Sequence, residues 1–466
     1  MGDEVLTVRS GSEQPFDVAV IGAGASGTLV ACQFSRHAKL GARLALIGSG
    51  NRPGRGVAYE TPYLANVLNV PAGNMSAFPD DSLHFARWLS SRLPGSDATT
   101  FAPRRIYGDY LAEILAETLQ KESVQLVDAT AIGLSYCNGF WSVHLQNGAI
   151  IKAESVVLAI GNVLIPADPL DVSSIAPFYR GNPWAADVLQ GLSCTASVLL
   201  IGSGLTTVDV ALSLREAGHT GHIHAVSRHG RLYQHHTPYT PQPLTELPDE
   251  FASPRAAVRW VRAEIEKMQD SDGDWRAVID SLRPHLSAIW HQWSLRQRAS
   301  FLRHARNLWD IHRHRMAPQV SNQLRQLLAD DILTIHAGRL LKAETVGDHA
   351  SVTLRSTQSG ETFIIAADRV INCTGPSRNF AKTDIPLIAG MREQGWLTPD
   401  RLRLGIETDS AGHLISADST VVETLFAIGP LRIPALFESI AIPEIRVQAA
   451  QLGQLLAGDR IQNGIL

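Results

Sequence analysis

The feature that most narrows what this chain can fold into is a strand that runs straight into a glycine loop and then a helix, present twice. The first copy begins with Phe16-Asp17-Val18-Ala19-Val20-Ile21. This short apolar run, rich in β-branched residues, is the pattern of a strand buried on both faces of a parallel sheet. Gly22-Ala23-Gly24-Ala25-Ser26-Gly27 follows at once, a helix is predicted over Thr28 to Arg36, and Arg43 to Ile47 supplies a second strand. In the second copy the strand Ser197 to Ile201 leads into Gly202-Ser203-Gly204-Leu205-Thr206-Thr207. A helix then runs through Glu216, Gly218 ends it, and His222 to Val226 forms the next strand.

Such units hold dinucleotides. The free N–H groups and positive dipole end of a helix N-terminus suit a pyrophosphate, and the glycines permit the turn, the close approach and the helix–strand packing. Gly22, Gly24 and Gly27 complete the G-x-G-x-x-G spacing in its strand–turn–helix context, with Ser26 inside the loop. The acid that usually holds the ribose at the end of the second strand is missing. Gly48 and Ser49 stand there, so Ser49 is the local candidate for that contact. In the second unit Thr207 replaces the third glycine, while Gly202, Gly204 and Thr206 remain. Its second strand ends in Ser227-Arg228-His229-Gly230-Arg231, where an acid would mark NAD. The planar guanidinium of Arg228 suits the 2′-phosphate of NADP instead.

Composition excludes several other classes. A chain of 466 residues with 45% hydrophobic content can bury large cores, and a net charge of -4 argues against a general nucleic-acid binder. The cysteines Cys32, Cys137, Cys194 and Cys373 form no C-x-x-C pair, which removes a disulfide-reductase dithiol and a cysteine zinc cluster. An acidic N-terminus without a basic n-region, and no apolar run of spanning length, lead to the expectation of a cytoplasmic protein without membrane insertion. Residues before Phe16 read as a loose polar leader.

Further segments resemble the bacterial FAD-NAD(P)-binding oxidoreductases, two-dinucleotide flavoproteins related to flavin-dependent monooxygenases. Arg55-Gly56-Val57-Ala58-Tyr59 and Asn66 to Ala72, with Asn69 and Val70, are similar to the segment that lies along the flavin there. Pro103 to Leu111 resembles the next landmark. Val156 to Gly161-Asn162 and Val370 to Thr374-Gly375 are similar to the two strand–glycine crossings between domains, and Leu425 to Gly429-Pro430 to the late FAD strand. Pro430 stands where relatives commonly carry an aspartate.

The resemblance implies an α/β fold with two Rossmann-like domains, one for FAD and one for NAD(P), plus a helical insert. The FAD domain would comprise residues 15–165 and 376–466, and the NAD(P) domain residues 166–375 with the insert at about 250–318. It also implies reduction of FAD by NADPH and monooxygenase-like action on a small, amine or amino-acid-like substrate. A last helix, Ala441-Ile442 to Leu456, would point its N-terminus at the flavin ring, where its dipole favours negative charge. The rival readings are an NAD(P)H-dependent reductase passing electrons to a quinone or protein acceptor, and a non-catalytic flavin-binding sensor with a protein partner. No side chain is singled out as catalytic.

The insert from Phe251 to Met316 is predicted as long helices, with 12 Lys/Arg against 7 Asp/Glu. On one helix His304, Leu308 and His312 would share a face, and Asp310 and His314 would form an i, i+4 pair. A metal site, a salt-bridged solvated face and a basic lining for an anionic ligand compete here. No nearby motif supports the metal, so none is expected. The pair His235-His236 reads as an exposed loop or an acid–base group.

Overall fold

In the computed structural model, residues 14–50, 53–162 and 167–458 are described. Most of the expected leader lies outside them. The chain opens with β1 (Phe16–Ile21), α1 (Ala25–His37), β2 (Leu44–Ile47), α2 (His84–Arg92) and α3 (Arg104–Leu119). Strands β3 (Val124–Val127), β4 (Ala131–Cys137), β5 (Phe140–Leu145) and β6 (Ile150–Leu158) follow. Next come β7 (Tyr179–Arg180), β8 (Val198–Ile201), α4 (Leu205–Glu216) and β9 (Ile223–Ser227). The insert is α5 (Pro254–Asp270), α6 (Trp275–Ser281), α7 (Leu286–Gln292), α8 (Leu295–His304) and α9 (Arg306–Arg313). Helix α10 (Pro318–Ala329) leads to β10 (Leu333–Val346), β11 (His349–Ser356), β12 (Thr362–Ala367) and β13 (Arg369–Asn372). The chain closes with α11 (Pro386–Glu393), β14 (His413–Ile415), β15 (Val421–Ala427), α12 (Ile433–Leu436) and α13 (Ile442–Leu456).

The described residues divide into two compact units. One draws on 14–50, 53–60, 70–162 and 378–458, the other on Thr61–Asn69 and 167–377. Each is built on a mainly parallel sheet, the α/β class expected from the two repeats.

In the first unit the sheet order is β14-β15-β6-β1-β2-β3, with β4 and β5 as an antiparallel extension of β6. β1 pairs in parallel with β2 on one side and β6 on the other. Every residue of β2 is buried, and so are Val18 to Ile21 of β1, which explains their unbroken apolar runs. The chain winds from β1 toward β3 and then crosses to β6, so the topological switch falls between β1 and β6. Open α/β sheets bind ligands at the carboxyl ends of strands at such a point. Helices α1 and α13 meet closely through Gly453, where an added Cβ would stand 2.6 Å from the Gln33 Cβ.

The second unit has the order β12-β11-β10-β9-β8-β13-β7, and its switch lies between β8 and β13. Both of these strands, and β9 beside β8, run parallel. Strand β10 continues the parallel core against β9 and then pairs antiparallel with β11. Thr61–Asn69 docks on α4 of this same unit. Asn66 Nδ2 donates to the Asp209 carbonyl and to Ser213 Oγ, both at 3.0 Å, while the Glu216 carboxylate accepts from the amides of Leu64 and Ala65. The run Asn66 to Ala72, expected to serve one site as a block, is therefore split. Asn66 to Asn69 belong to the second unit, and Val70 to Ala72 to the first.

The insert departs from its expected form. Beyond the 17-residue α5 its helices span only 7 to 10 residues. The chain breaks at Ala305, so His304 ends α8 while Leu308 and His312 sit on α9. The three do not share one helix face. Phe301 on α8 and Ile311 on α9 are both buried.

Candidate functional site

The first glycine loop sits at the switch of its own sheet. Gly22 closes β1 with φ +116°, and a Cβ there would overlap the Ala159 carbonyl just past β6. A Cβ on Gly27 would overlap the Gly22 carbonyl oxygen, so this glycine lets α1 start directly against its strand. Helix α1 is capped by Gly24 alone, with no side-chain cap and no acid in its first turn. The first-turn amides and the positive dipole end are thus left for an anionic ligand. A Cβ on Gly24 would stand 3.3 Å from the Gly56 Cα, and the Gly54 amide donates to the Ala23 carbonyl at 2.8 Å. The Gly54–Gly56 segment therefore walls the loop closely.

Gly429, just past β15, faces the same loop. It turns with φ +73°, and a Cβ there would stand 3.0 Å from Ser26 Oγ. Its peptide is held on both sides. The amide donates to Gln448 Oε1 at 3.1 Å, the carbonyl accepts from Ser439 Oγ at 2.7 Å, and Gln448 Nε2 donates to Ser439 Oγ. Pro430 lies in the short helical turn Gly429–Arg432. The structure thus brings Gly22, Gly24, Ser26, Gly27 and Gly429 together. Ser49 Oγ accepts from Thr130 Oγ1 at 2.8 Å, and Gly161 turns with φ +62° in open space. Ala441 caps α13, and Ile442 begins it. Glu444 lies in that first turn, so a carboxylate already answers the dipole that was expected to favour a reduced flavin.

The second loop repeats the geometry. A Cβ on Gly202 would stand 2.6 Å from the Cys373 carbonyl past β13, matching Gly22 over Ala159. Helix α4 again starts from a glycine, Gly204, without a side-chain cap or first-turn acid. Thr206 lies in that first turn, and Thr207 is buried in the third-glycine position. Thr374 donates through its hydroxyl to Asn372 Oδ1 at 2.7 Å, and Gly375 turns with φ +89°. Beside the end of β9 lies a cleft of about 340 Å³ lined by Arg228, His229, Arg231, Ala337, Arg339, Thr357 and Gln358. Arg228 was expected here. Arg339, more than a hundred residues further on, was not, because its position depends on how β10 pairs.

Several arginines of the insert are committed to ion pairs. Arg306 Nε meets both Asp310 oxygens at 2.8 Å, Arg276 pairs with Asp274 at 2.9 Å, and Arg315 pairs with Asp280. Among the described residues no group of three or more His, Cys, Asp or Glu is placed to hold a metal. His236 is half-buried and its Nε2 lies 3.0 Å from the Asn69 carbonyl oxygen. Burial pushes His236 down to about 4, and burial together with His222 and His336 pushes His224 down to about 4. Both are neutral when folded and gain protons more readily when unfolded. Stability is therefore expected to fall as pH drops from about 6.5 toward 4. Urea midpoints measured across that window check this, and replacing His236 with Gln should flatten the slope.

Residues 19–163 match the protein-family model described as FAD-NAD(P)-binding. This stretch is similar to an FAD-NAD(P)-binding module. The match spans the first glycine loop and β6, and Gly22, Gly24, Gly27, Ser49 and Gly161 fall within it. No curated protein matches the chain. Among solved structures the whole chain is similar to L-lysine 6-monooxygenase from Pseudomonas syringae (17% identity, TM-score 0.67, 96% of this chain and 100% of that one). It is also similar to the FAD-bound cadaverine monooxygenase of the desferrioxamine pathway from Erwinia amylovora (12%, 0.64, 97% and 99%). A third is the ornithine N-hydroxylase of Kutzneria sp. 744, with reduced FAD, NADP+ and L-ornithine (14%, 0.62, 95% and 99%). At these identities the likeness establishes the fold alone: two Rossmann-like units in one chain. Among the described residues no helix is long and apolar enough to cross a membrane.

Proposed function

We propose that this chain is an FAD-dependent oxidoreductase reduced by NADPH, a monooxygenase-like enzyme acting on a small amine or amino-acid-like substrate. The observation that carries the reading is the pair of uncapped glycine-loop helices, each at the switch point of its own sheet, with an arginine-lined cleft beside the second. Bound FAD would supply the hydride and oxygen chemistry.

The chain's own residues supply position and charge. The amides opening α1 and the backbone at Gly24 would hold the pyrophosphate of FAD, and Ser26 and the clamped Gly429 peptide would border it. Gly202, Gly204 and the amides opening α4 would do the same for the pyrophosphate of NADPH. Arg228 would meet the 2′-phosphate that distinguishes NADPH from NADH. The amine preference is supported by the three fold relatives, a lysine monooxygenase, a cadaverine monooxygenase and an ornithine N-hydroxylase.

The test is to load the protein with FAD, mix it anaerobically with NADPH or NADH, and follow the flavin absorbance. Bleaching that is faster with NADPH is the expected result. Oxygen uptake is then measured with lysine, ornithine and cadaverine, and products are examined for the mass of one added oxygen atom. Absence of bleaching with either nucleotide would sink the NADPH reading. Bleaching without amine-dependent oxygen incorporation would leave a reductase.

A further inference from the structure

Strand β10 changes partners part-way along. Leu333–Ala337 pair in parallel with Ile223–Ser227 of β9, and Gly338 onward pairs antiparallel with β11. Ala337 stands level with Ser227, so the next residues of β10 run beside the loop Arg228–Arg231. Gly230 turns with φ +58° against that strand, and a Cβ there would stand 3.2 Å from the Ala337 Cβ. Side chains alternate along a strand, so Arg339, two residues after Ala337, faces the side on which the loop rests. The turn after β11 is tied to both. The Thr357 amide donates to the Ala337 carbonyl at 3.0 Å, and its hydroxyl donates to the Arg228 carbonyl at 2.8 Å. Three arginines and a histidine thus line the cleft, and no acid does.

A second observation concerns charge. Arg339 stands directly opposite Arg355 in the β10–β11 register, on the same face of the sheet. Like charges in that position repel. Among the described residues neither arginine forms an ion pair with an acid. Two facing arginines at the rim of an acid-free cleft repel one another weakly across solvent at these exposed positions, and an anion would relieve that repulsion.

We propose that Arg339 is a specificity-determining residue for NADPH. The 2′-phosphate settles between Arg228, Arg231 and Arg339, and its charge relieves the repulsion between Arg339 and Arg355. Cofactor choice is then shared between the loop after β9 and a strand that lies beyond the whole helical insert in sequence. The proposal rests on the NADPH reading above. NADH, with a neutral 2′-hydroxyl, gains nothing from Arg339.

The test uses the FAD-loaded full chain and its Arg339→Gln and Arg339→Lys variants. Adenosine 2′-monophosphate and adenosine 5′-monophosphate are titrated by calorimetry, and anaerobic flavin reduction is measured with NADPH and NADH. Arg339→Gln is expected to weaken the 2′-monophosphate and NADPH by about tenfold or more, the loss of one charged phosphate contact. The 5′-monophosphate and NADH should be unchanged, Arg339→Lys should recover part of the loss, and the nucleotide-free thermal midpoint should hold or rise. Equal weakening of NADPH and NADH, or a lowered midpoint, would mean a structural role and overturn the proposal. A wild type that prefers NADPH with Arg339→Gln unchanged would overturn the role of Arg339 alone. A wild type indifferent to the 2′-phosphate would overturn the NADPH reading, and this inference with it.

Discussion

Gly27→Ala is expected to purify without the flavin absorbance and with a thermal midpoint far below that of the wild type. The new methyl group would overlap the Gly22 carbonyl oxygen, and the Leu46 side chain lies within 3.2 Å on the other side. Neither the loop nor the buried β2 has room to give, because Leu46 is fully buried and Gly22 is itself pressed against Ala159. Overpacking of a tight core costs about 1–3 kcal/mol, and a clash with backbone lies at the upper end of that range. Helix α1 must shift to relieve it, which moves the first-turn amides away from the phosphate. Gly204→Ala is the control. Its Cβ would stand 3.6 Å from the Tyr233 ring, an ordinary contact, so the fold should survive. Any loss of NAD(P)H binding in that variant then reports the close approach of nucleotide to backbone. A Gly27→Ala protein that binds FAD at an unchanged midpoint would show that the first loop does not do what its geometry suggests.

The two loops could be found in the sequence because their signal is local. A buried strand, a glycine forced into positive φ and an uncapped helix start occupy about a dozen consecutive residues, and each constrains the next. The same locality made Arg228 visible, since it follows its strand directly. Arg339 was not visible for the opposite reason. Its place in the cleft depends on the register of β10 with β9 and on the change of partner at Gly338, and a strand pattern carries neither. The association of Thr61–Asn69 with α4 was not visible for a related reason. It comes from Asn66 and Glu216 hydrogen bonds between segments about 150 residues apart. The break at Ala305 was missed because no glycine or proline marks it between Arg296 and Arg313.

Removing the carboxylate of Asp280 is expected to destabilise the protein more than any change at the exposed arginines of the insert. Arg315 is only 2% exposed. Its guanidinium pairs with Asp280 and lies over the rings of Trp275 and Tyr239, with centroids at 5.8 and 5.9 Å. Tyr239 also donates its hydroxyl to Asp280. Burial would raise the Asp280 carboxyl, but the Tyr239 hydrogen bond and the Arg315 charge outweigh it and hold the group below its usual range. Asp280→Asn keeps the shape and leaves a buried cation without its counter-charge, at a cost of roughly 3 kcal/mol. Asp280→Leu combined with Arg315→Met should recover most of that loss, because an apolar pair of similar volume removes both desolvation costs together. Urea unfolding of the single and double variants measures the coupling. A single variant within about 0.5 kcal/mol of wild type would mean that Arg315 is not held by Asp280. If Arg315 instead lined a site for an anionic ligand, Arg315→Met would weaken nucleotide or substrate binding while leaving the urea midpoint unchanged. The ion pair predicts the reverse, a shifted midpoint with binding intact.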